Sequence, residues 1–308
     1  MTRILLEPLE WFYPTAKALF MWRKGRELAS YREGPVLVLQ MGKVGSKSIQ
    51  AGLEKLSLDR PIYHAHFLSA ARTAETERER RKFFRTDRQS YLERPWLNQF
   101  LLRAYRDRKA NGRWKVVTLT REPVGRNISA FFENLHVKPE TEAGRFIISS
   151  DYYRIEPTEV SIDDVGPLRD LFYERATHDS PVRFFDREIQ DIFGIDVLRT
   201  GFSVQAGYQI YSGDQADLLV IRLESLGECV GRAFSEFLGA DDFTVVNRNV
   251  GAKKEYAPLY DAFKRKVSVT ASYADSLYTS EYMRTFYTGD EIAAFRSRWV
   301  RDVDETAA

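Results

Sequence analysis

Two lysines and two serines lie in a short glycine-containing stretch at residues 42–48, Gly-Lys-Val-Gly-Ser-Lys-Ser. The stretch follows an apolar run at 36–40, which predicts a buried strand, and precedes residues with helical spacing of apolar side chains. Glycine lets a backbone approach a ligand closely, and N–H groups at a helix start point outward, toward an anion. The pattern indicates a phosphate or sulfate site with these candidates: Lys43, Gly45, Ser46, Lys47 and Ser48. Ser46 is also expected to be the N-cap of the helix. The alternative to an anion site is an ordinary lysine-rich turn.

A second candidate anion site follows the apolar run at 114–120, which also predicts a buried strand. Arg121 comes directly after this run, at the carboxyl end of the predicted strand, where ligands bind in open α/β sheets. Pro123 suits the first turn of a helix, and Ser129 lies eight residues after Arg121 on that predicted helix. A guanidinium and a hydroxyl could therefore bind one phosphate together. Arg126 is predicted to hold the loop rather than to contact the ligand.

Two histidines lie at the end of another predicted strand, at residues 61–66, which is the second predicted strand along the chain. His64 and His66 are two residues apart, so they share one face of a strand, and an imidazole suits a general base near neutral pH. Consecutive strands of this kind are usually neighbours, which would bring Lys43 and His64 to one crevice. The alternative is that both histidines are structural polar groups at a strand end. Glu133, on the helix after Ser129, is the next candidate base.

The elements that must position these residues alternate between strands and helices. This alternation predicts an α/β fold with a mainly parallel central sheet flanked by helices, and with a helical C-terminal region. We divide the chain into an N-terminal helix at 1–34 and one domain at 35–308. Residues 138–162 are predicted to be irregular, and 197–202 and 208–211 are predicted to form a hairpin.

The bulk composition excludes several classes of function. The net charge of the 308 residues is only +2, so the molecule is not a general polyanion binder and no nucleic-acid partner is expected. One cysteine cannot form an intrachain disulfide, and the histidines lack zinc-type spacing, so no metal is predicted. No signal peptide or spanning segment is recognised, which predicts a cytoplasmic protein. The aromatic segment at 11–22 could contact a membrane surface, but packing against the body is the preferred interpretation.

The two strand–helix junctions together resemble a known family. Lys-Val-Gly-Ser-Lys-Ser at 43–48 resembles the 5′-phosphosulfate-binding loop of sulfotransferases that use 3′-phosphoadenosine 5′-phosphosulfate (PAPS). Arg-Glu-Pro-Val-Gly-Arg-Asn-Ile-Ser at 121–129 resembles their 3′-phosphate-binding segment, with Glu122 in place of the usual aspartate. Tyr-His-Ala-His at 63–66 is similar to the paired-histidine segment of uronyl 2-O-sulfotransferases. As a whole the chain most resembles the bacterial capsular polysaccharide synthesis group.

The resemblance implies a P-loop-like sulfotransferase fold and an enzyme that transfers a sulfuryl group from PAPS to a carbohydrate hydroxyl. The acceptor could be a capsular polysaccharide or exopolysaccharide, the product would be 3′,5′-adenosine bisphosphate (PAP), and no metal would be needed. Lys43 would stabilise the bridging oxygen as it leaves, His64 would be the base, and His66 would support it. The nucleotide phosphates would be held by Ser46, Lys47, Ser48, Arg121 and Ser129, and Lys253 would contact the donor from a basic loop.

Two other functions remain open on the sequence. A P-loop kinase or NTPase is disfavoured because the Walker A spacing is broken, since position 41 is Met rather than Gly. A non-catalytic nucleotide-binding scaffold of polysaccharide assembly is disfavoured because Lys43, Arg121 and the histidine pair are all present. The sequence does not predict the oligomeric state.

Overall fold

A computed structural model describes residues 7–81, 90–140, 144–246 and 255–301. These residues form an α/β fold that is mainly helical. The strands are β1 Val36–Leu39, β2 Ile62–Ala65, β3 Trp114–Thr120, β4 His136–Pro139, β5 Arg145–Ser150, β6 Ile155–Ser161, β7 Tyr208–Ser212 and β8 Ala216–Arg222. The helices are α1 Glu7–Ser30, α2 Ser46–Leu53, α3 Ala70–Arg81, α4 Ser90–Arg106, α5 Pro123–Glu133, α6 Gly166–Arg175, α7 Ser180–Phe184, α8 Asp191–Phe193, α9 Val197–Thr200, α10 Leu226–Leu238, α11 Ala257–Lys266, α12 Ala271–Tyr278, α13 Glu281–Phe286 and α14 Gly289–Trp299.

The central sheet has five strands in the order β2-β1-β3-β8-β7. Strands β2, β1, β3 and β8 are parallel, whereas β7 is antiparallel to β8, so the sheet is mixed. Strand β1 lies between β2 and β3, and Val38 of β1 pairs with His64 of β2. The expected adjacency of the first two strands is therefore confirmed. Because these strands are parallel, the turns after β1, β2 and β3 all lie at one edge of the sheet.

Two sequence predictions about the connecting regions are wrong. The described residues within 138–162 are not irregular, because most of them belong to an antiparallel sheet ordered β4-β5-β6, in which the buried side chains of Phe146 and Ile148 alternate with more exposed ones. The predicted hairpin of 197–202 with 208–211 does not form. Asp196 instead accepts a hydrogen bond from the Arg199 backbone N–H and starts α9, while β7 pairs with β8.

Both ends of the described chain pack on this core. The predicted helical C-terminal region is confirmed for residues 255–301, and Trp299 of α14 is 1% exposed. Helix α1 packs through Tyr13 against Trp96 of α4, with ring centroids 5.4 Å apart, as the preferred interpretation predicts. Among the described helices, none is long and apolar enough to cross a membrane.

Candidate anion-binding site at the edge of the sheet

The turn after β1 has an unusual backbone that opens α2 without a side-chain cap. Gly45 has φ 88° and is the N-cap of α2, so the expectation that Ser46 is the N-cap is wrong, and Ser46 is the first helical residue. Lys43 also lies in the left-handed region, at φ 73°, which is uncommon for a residue other than glycine. Gly45 supplies no side-chain cap, and the Ser48 N–H already donates to the Gly45 carbonyl oxygen at 3.0 Å. The N–H groups of Ser46 and Lys47 are therefore the ones suited to hold an anion.

The turn after β3 is joined to the turn after β1 by two arginines. Arg121 Nη1 donates to the Lys43 carbonyl oxygen at 2.7 Å, and Arg126 Nε donates to the Gly42 carbonyl oxygen at 3.0 Å. The predicted loop-holding contact of Arg126 is thus present. The Tyr282 hydroxyl accepts from the Arg121 N–H at 3.0 Å and donates to the Arg121 carbonyl oxygen at 2.9 Å. Two candidate anion turns that are distant in sequence therefore form one continuous surface.

Glu122 fixes the start of α5 from a buried position. Its carboxylate accepts from the backbone N–H groups of Val124 and Gly125, each at 2.7 Å, and so caps the helix. It also accepts from the Tyr278 hydroxyl at 2.6 Å and from Trp299 Nε1 at 3.3 Å. Burial raises the pKa of this carboxyl, and the hydrogen bonds oppose that effect by favouring the charged form. The residue positions Arg121 and α5, and its own oxygens are occupied by protein donors.

The side chain of Lys43 reaches across the turn to α5. Its Nζ lies 3.0 Å from Glu133 Oε2, and the Tyr256 hydroxyl donates to the same carboxylate oxygen at 3.0 Å. Ser129 is partly buried one helical turn before Glu133, so both residues lie on the same side of α5. The structure thus brings Lys43 together with the fallback base Glu133, at the helix that also carries Ser129.

The two histidines lie together at the carboxyl end of β2. His66 Nδ1 is 3.0 Å from the Gln40 carbonyl oxygen, which can only accept, so Nδ1 carries the proton and Nε2 is an acceptor. The ring of His64 is 4.8 Å from that of His66, and its buried Nε2 has no hydrogen-bond partner among the described residues. Burial, with smaller effects from His66, Arg94 and Lys47, lowers the pKa of His64 to about 3. Both imidazoles are neutral at pH 7, since burial also lowers the pKa of His66.

Gln40 is a polar residue of this site that the sequence analysis missed. Its side chain is fully buried at the end of β1, and neither of its amide atoms has a hydrogen-bond partner among the described residues. Leaving a buried polar group unpaired costs roughly 1–3 kcal/mol. The signal in the sequence was a glutamine closing an apolar run. Further residues that support the site without any such signal are Glu224, Tyr278, Tyr282 and Trp299.

Most of the remaining predicted site residues lie at the start of α2. Gly45, Ser46, Lys47 and Ser48 form the turn and the first residues of α2, at the same sheet edge as Arg121. Lys253 lies outside the described residues. Within the described part of the chain, no three His, Cys, Asp or Glu side chains form a group that could hold a metal ion.

Comparison with known proteins relates part of the chain to one described family model. Residues 162–288 match a family model described as "Putative capsular polysaccharide synthesis protein". No curated protein matches the chain, and no solved structure does. The matched segment contains β7 and β8, and it excludes the turns after β1, β2 and β3. The similarity therefore covers residues 162–288 alone and does not extend to the candidate anion turns.

Proposed function

We propose that this chain transfers a sulfuryl group from PAPS to a hydroxyl group of a carbohydrate. The observation that carries the proposal is the direct joining of the two candidate phosphate turns, through the 2.7 Å hydrogen bond from Arg121 to the Lys43 carbonyl oxygen. PAPS carries phosphate groups at both its 5′ and 3′ positions, so its binding site must offer two anion sites on one surface. The match to a capsular polysaccharide family model supports a carbohydrate acceptor.

The residues of the two turns fit such a donor chemically. The uncapped start of α2, with Lys47 in its first turn, suits the 5′-phosphosulfate. Arg121 and Ser129 suit the 3′-phosphate, because only Nη1 of the Arg121 guanidinium is hydrogen-bonded within the described residues. The lysines, the arginine and the helix terminus supply positive charge without a metal ion.

The reaction needs one proton acceptor and one group that stabilises the leaving oxygen. The acceptor oxygen forms a bond to sulfur, the bond from sulfur to the bridging oxygen breaks, and PAP leaves with the electron pair. In the proposed mechanism Lys43 stabilises the negative charge that grows on the bridging oxygen. The hydroxyl proton passes to His64, which is neutral at pH 7, or to Glu133, which contacts Lys43 at 3.0 Å.

Nucleotide binding tests the donor half of this proposal. We expect PAP to bind at least tenfold more tightly than ADP in calorimetry, since a charge-assisted hydrogen bond contributes about 1.5–3 kcal/mol. The preference should disappear in Arg121→Ala, and equal affinities of the unmodified protein for PAP and ADP would contradict the proposal.

Incubation with labelled PAPS and cell-surface glycans tests the transfer half. Label incorporated into glycan is the expected result. Hydrolysis of ATP without sulfate transfer would favour a kinase or NTPase instead. Tight PAP binding without any transfer would favour a non-catalytic scaffold.

A further inference from the structure

A small polar pocket lies between α3, α5, the turn that joins β5 to β6, and the loop before α7. It has a volume of about 70 Å³, and none of the residues that line it is acidic. The lining includes two arginines, two asparagines and two tyrosines, which are Arg72, Arg126, Asn127, Asn134, Tyr152 and Tyr153. We call this cavity the arginine pocket. Its lining does not include Arg121 or any of residues 42–48, although Arg126 contacts the Gly42 carbonyl oxygen from the pocket wall.

Arg126 gives the arginine pocket a buried positive charge. The residue is only 8% exposed, and it forms no ion pair with any described residue. Its guanidinium donates to the Gly42 carbonyl oxygen at 3.0 Å and to Asn127 Oδ1 at 3.1 Å, both neutral acceptors. Burial lowers the pKa of Arg126 to about 10, and the nearby charges of Arg72 and Arg121 act in the same direction. A buried charge without a counter-charge is unfavourable, so an anion in the pocket would stabilise it.

Arg72 brings a second positive charge to the same cavity from α3. Its guanidinium lies 4.8 Å from the centroid of the Phe67 ring, and within the described residues it has no carboxylate partner. The lining hydroxyls of Thr177 and Ser180 also make no hydrogen bond there. Two arginines and two hydroxyls without acidic neighbours form the kind of donor set that binds oxyanions.

The walls of the arginine pocket are held in place by hydrogen bonds of their own. Asn127 Nδ2 donates to the His178 carbonyl oxygen at 2.9 Å, and Asn134 Nδ2 donates to the Ala130 carbonyl oxygen at 2.9 Å. Tyr152, which also lines the pocket, is 64% exposed, and its ring centroid lies 4.8 Å from that of Tyr153. A larger molecule that placed a charged group in the pocket could therefore stack a ring on Tyr152.

We propose that the arginine pocket binds an oxyanion (a carboxylate, sulfate or phosphate group) at a site separate from the two turns after β1 and β3. The group could belong to a free inorganic anion or to a charged substituent on a sugar. The second source rests on the proposed function, because the pocket lies along α5, the helix whose Glu133 contacts Lys43. An acidic glycan bound there would have its charged group near the proposed reaction centre.

Crystallography with selenate, an anomalous analogue of sulfate, tests the existence and separateness of the site. We expect a selenium peak within hydrogen-bonding distance of Arg72 and Arg126, both in crystals without nucleotide and in crystals saturated with PAP. Absence of the peak would overturn the proposal. A peak that PAP displaces would also overturn it, because the pocket would then belong to the nucleotide site. If PAP does not bind, the proposed function is contradicted, but the anion site is not. The selenium peak in crystals without nucleotide does not depend on PAP binding.

Measurements in solution distinguish a specific site from general charge effects. We expect sodium sulfate to raise the unfolding temperature more than sodium chloride does at equal ionic strength. In Arg72→Gln, at least ten times more sulfate should be needed to give the same rise in unfolding temperature. The matched control is Arg78→Gln, an exposed arginine on the same helix, which should behave like the unmodified protein. Equal losses in both variants would overturn the proposal. Replacing sulfate with glucuronate identifies the source, because protection by glucuronate but not by glucose indicates an acidic sugar.

Discussion

Lys43 combines a strained backbone with a charged side chain at the point where both candidate turns meet. Its φ of 73° lies in a region that few residues other than glycine adopt, and its carbonyl oxygen accepts from Arg121 at 2.7 Å. Backbone strain of about 1–3 kcal/mol persists only where neighbouring contacts hold it in place. The hydrogen bond from Arg121 is such a contact. The direction in which the Lys43 side chain leaves the turn is therefore set by residues of a different strand.

The first prediction concerns the charge of Lys43. We expect Lys43→Ala to lower turnover more than tenfold while affinity for PAP changes less, because the lysine is proposed to act on charge that grows in the transition state. Steady-state kinetics and calorimetry measure the two quantities. Lys55→Ala, at an exposed lysine beyond α2, is the control and should retain full turnover. A Lys43→Ala protein with more than a tenth of the original turnover would refute the proposed role.

The second prediction separates the two candidate bases. If His64 accepts the proton, His64→Gln should abolish turnover and Glu133→Gln should retain it, and the reverse holds if Glu133 is the base. A base works only when deprotonated, so activity is lost as the pH falls through its pKa. Since burial lowers the pKa of His64 from 6.5 to about 3, kcat/KM should not fall between pH 7 and pH 5 on account of this residue. A loss of kcat/KM near pH 6.5 in the unmodified protein, together with abolished turnover in His64→Gln, would contradict the lowered pKa of His64.

At the scale of elements, the start of α5 depends on one buried carboxylate that neighbouring helices also use. Glu122 caps α5 through Val124 and Gly125, and it accepts from Tyr278 of α12 and Trp299 of α14. A change at this position therefore affects the helix cap and the packing of the C-terminal helices at the same time. The resemblance to segments with aspartate at this position did not indicate those contacts.

The third prediction tests this dependence with Glu122→Gln. The amide has one donor group where the carboxylate had only acceptors, so at least one buried N–H or O–H loses its partner. We expect the free energy of unfolding to fall by about 2–3 kcal/mol. Chemical denaturation measures it, with Glu228→Gln at the exposed start of α10 as the control. A loss below about 0.5 kcal/mol would show that the capping contacts contribute little.

The sequence predicted those elements that short-range patterns determine. Four such patterns are recognisable in short stretches of sequence: the apolar runs of β1 and β3, the glycine turn before α2 and the proline at the start of α5. Together they predicted the order of the candidate turns along the chain. The β4-β5-β6 sheet was missed because its alternation is carried by few residues, mainly Phe146 and Ile148. The hydrogen bonds of Arg121 and Arg126 to backbone carbonyls 78 and 84 residues away depend on tertiary packing. No local pattern encodes such contacts.

At the scale of the whole molecule, partly buried neutral histidines make the fold sensitive to acid. Burial lowers the pKa of His64, His66 and His178, so the unfolded chain binds protons on these residues more readily than the folded chain does. The stability that they contribute is complete above the unfolded pKa of 6.5. It is lost progressively as the pH falls toward the folded pKa, which for His64 is about 3.

The fourth prediction follows from this linkage. From His64 alone we expect the free energy of unfolding to fall by up to about 2 kcal/mol between pH 7.5 and pH 5. Denaturant titrations at several pH values measure the slope, which His64→Gln should reduce. His136→Gln, at an exposed histidine of β4, is the matched control and should leave the slope unchanged. Identical slopes in the unmodified protein and His64→Gln would show that His64 is accessible to protons in the folded state.

The contact between Glu122 and Trp299 also has a consequence for how the protein is made. The two residues are 177 positions apart, and at synthesis rates of about 5–20 residues per second the ribosome needs on the order of ten seconds to pass from one to the other. For most of that interval the nascent chain carries β3 and the start of α5 without either donor, because Tyr278 follows Glu122 by 156 positions and Trp299 follows it by 177. The final arrangement of the turn at Arg121 must therefore follow translation of α14, so we expect chains stalled before Trp299 to be more open to proteolysis around residues 120–126 than finished ones.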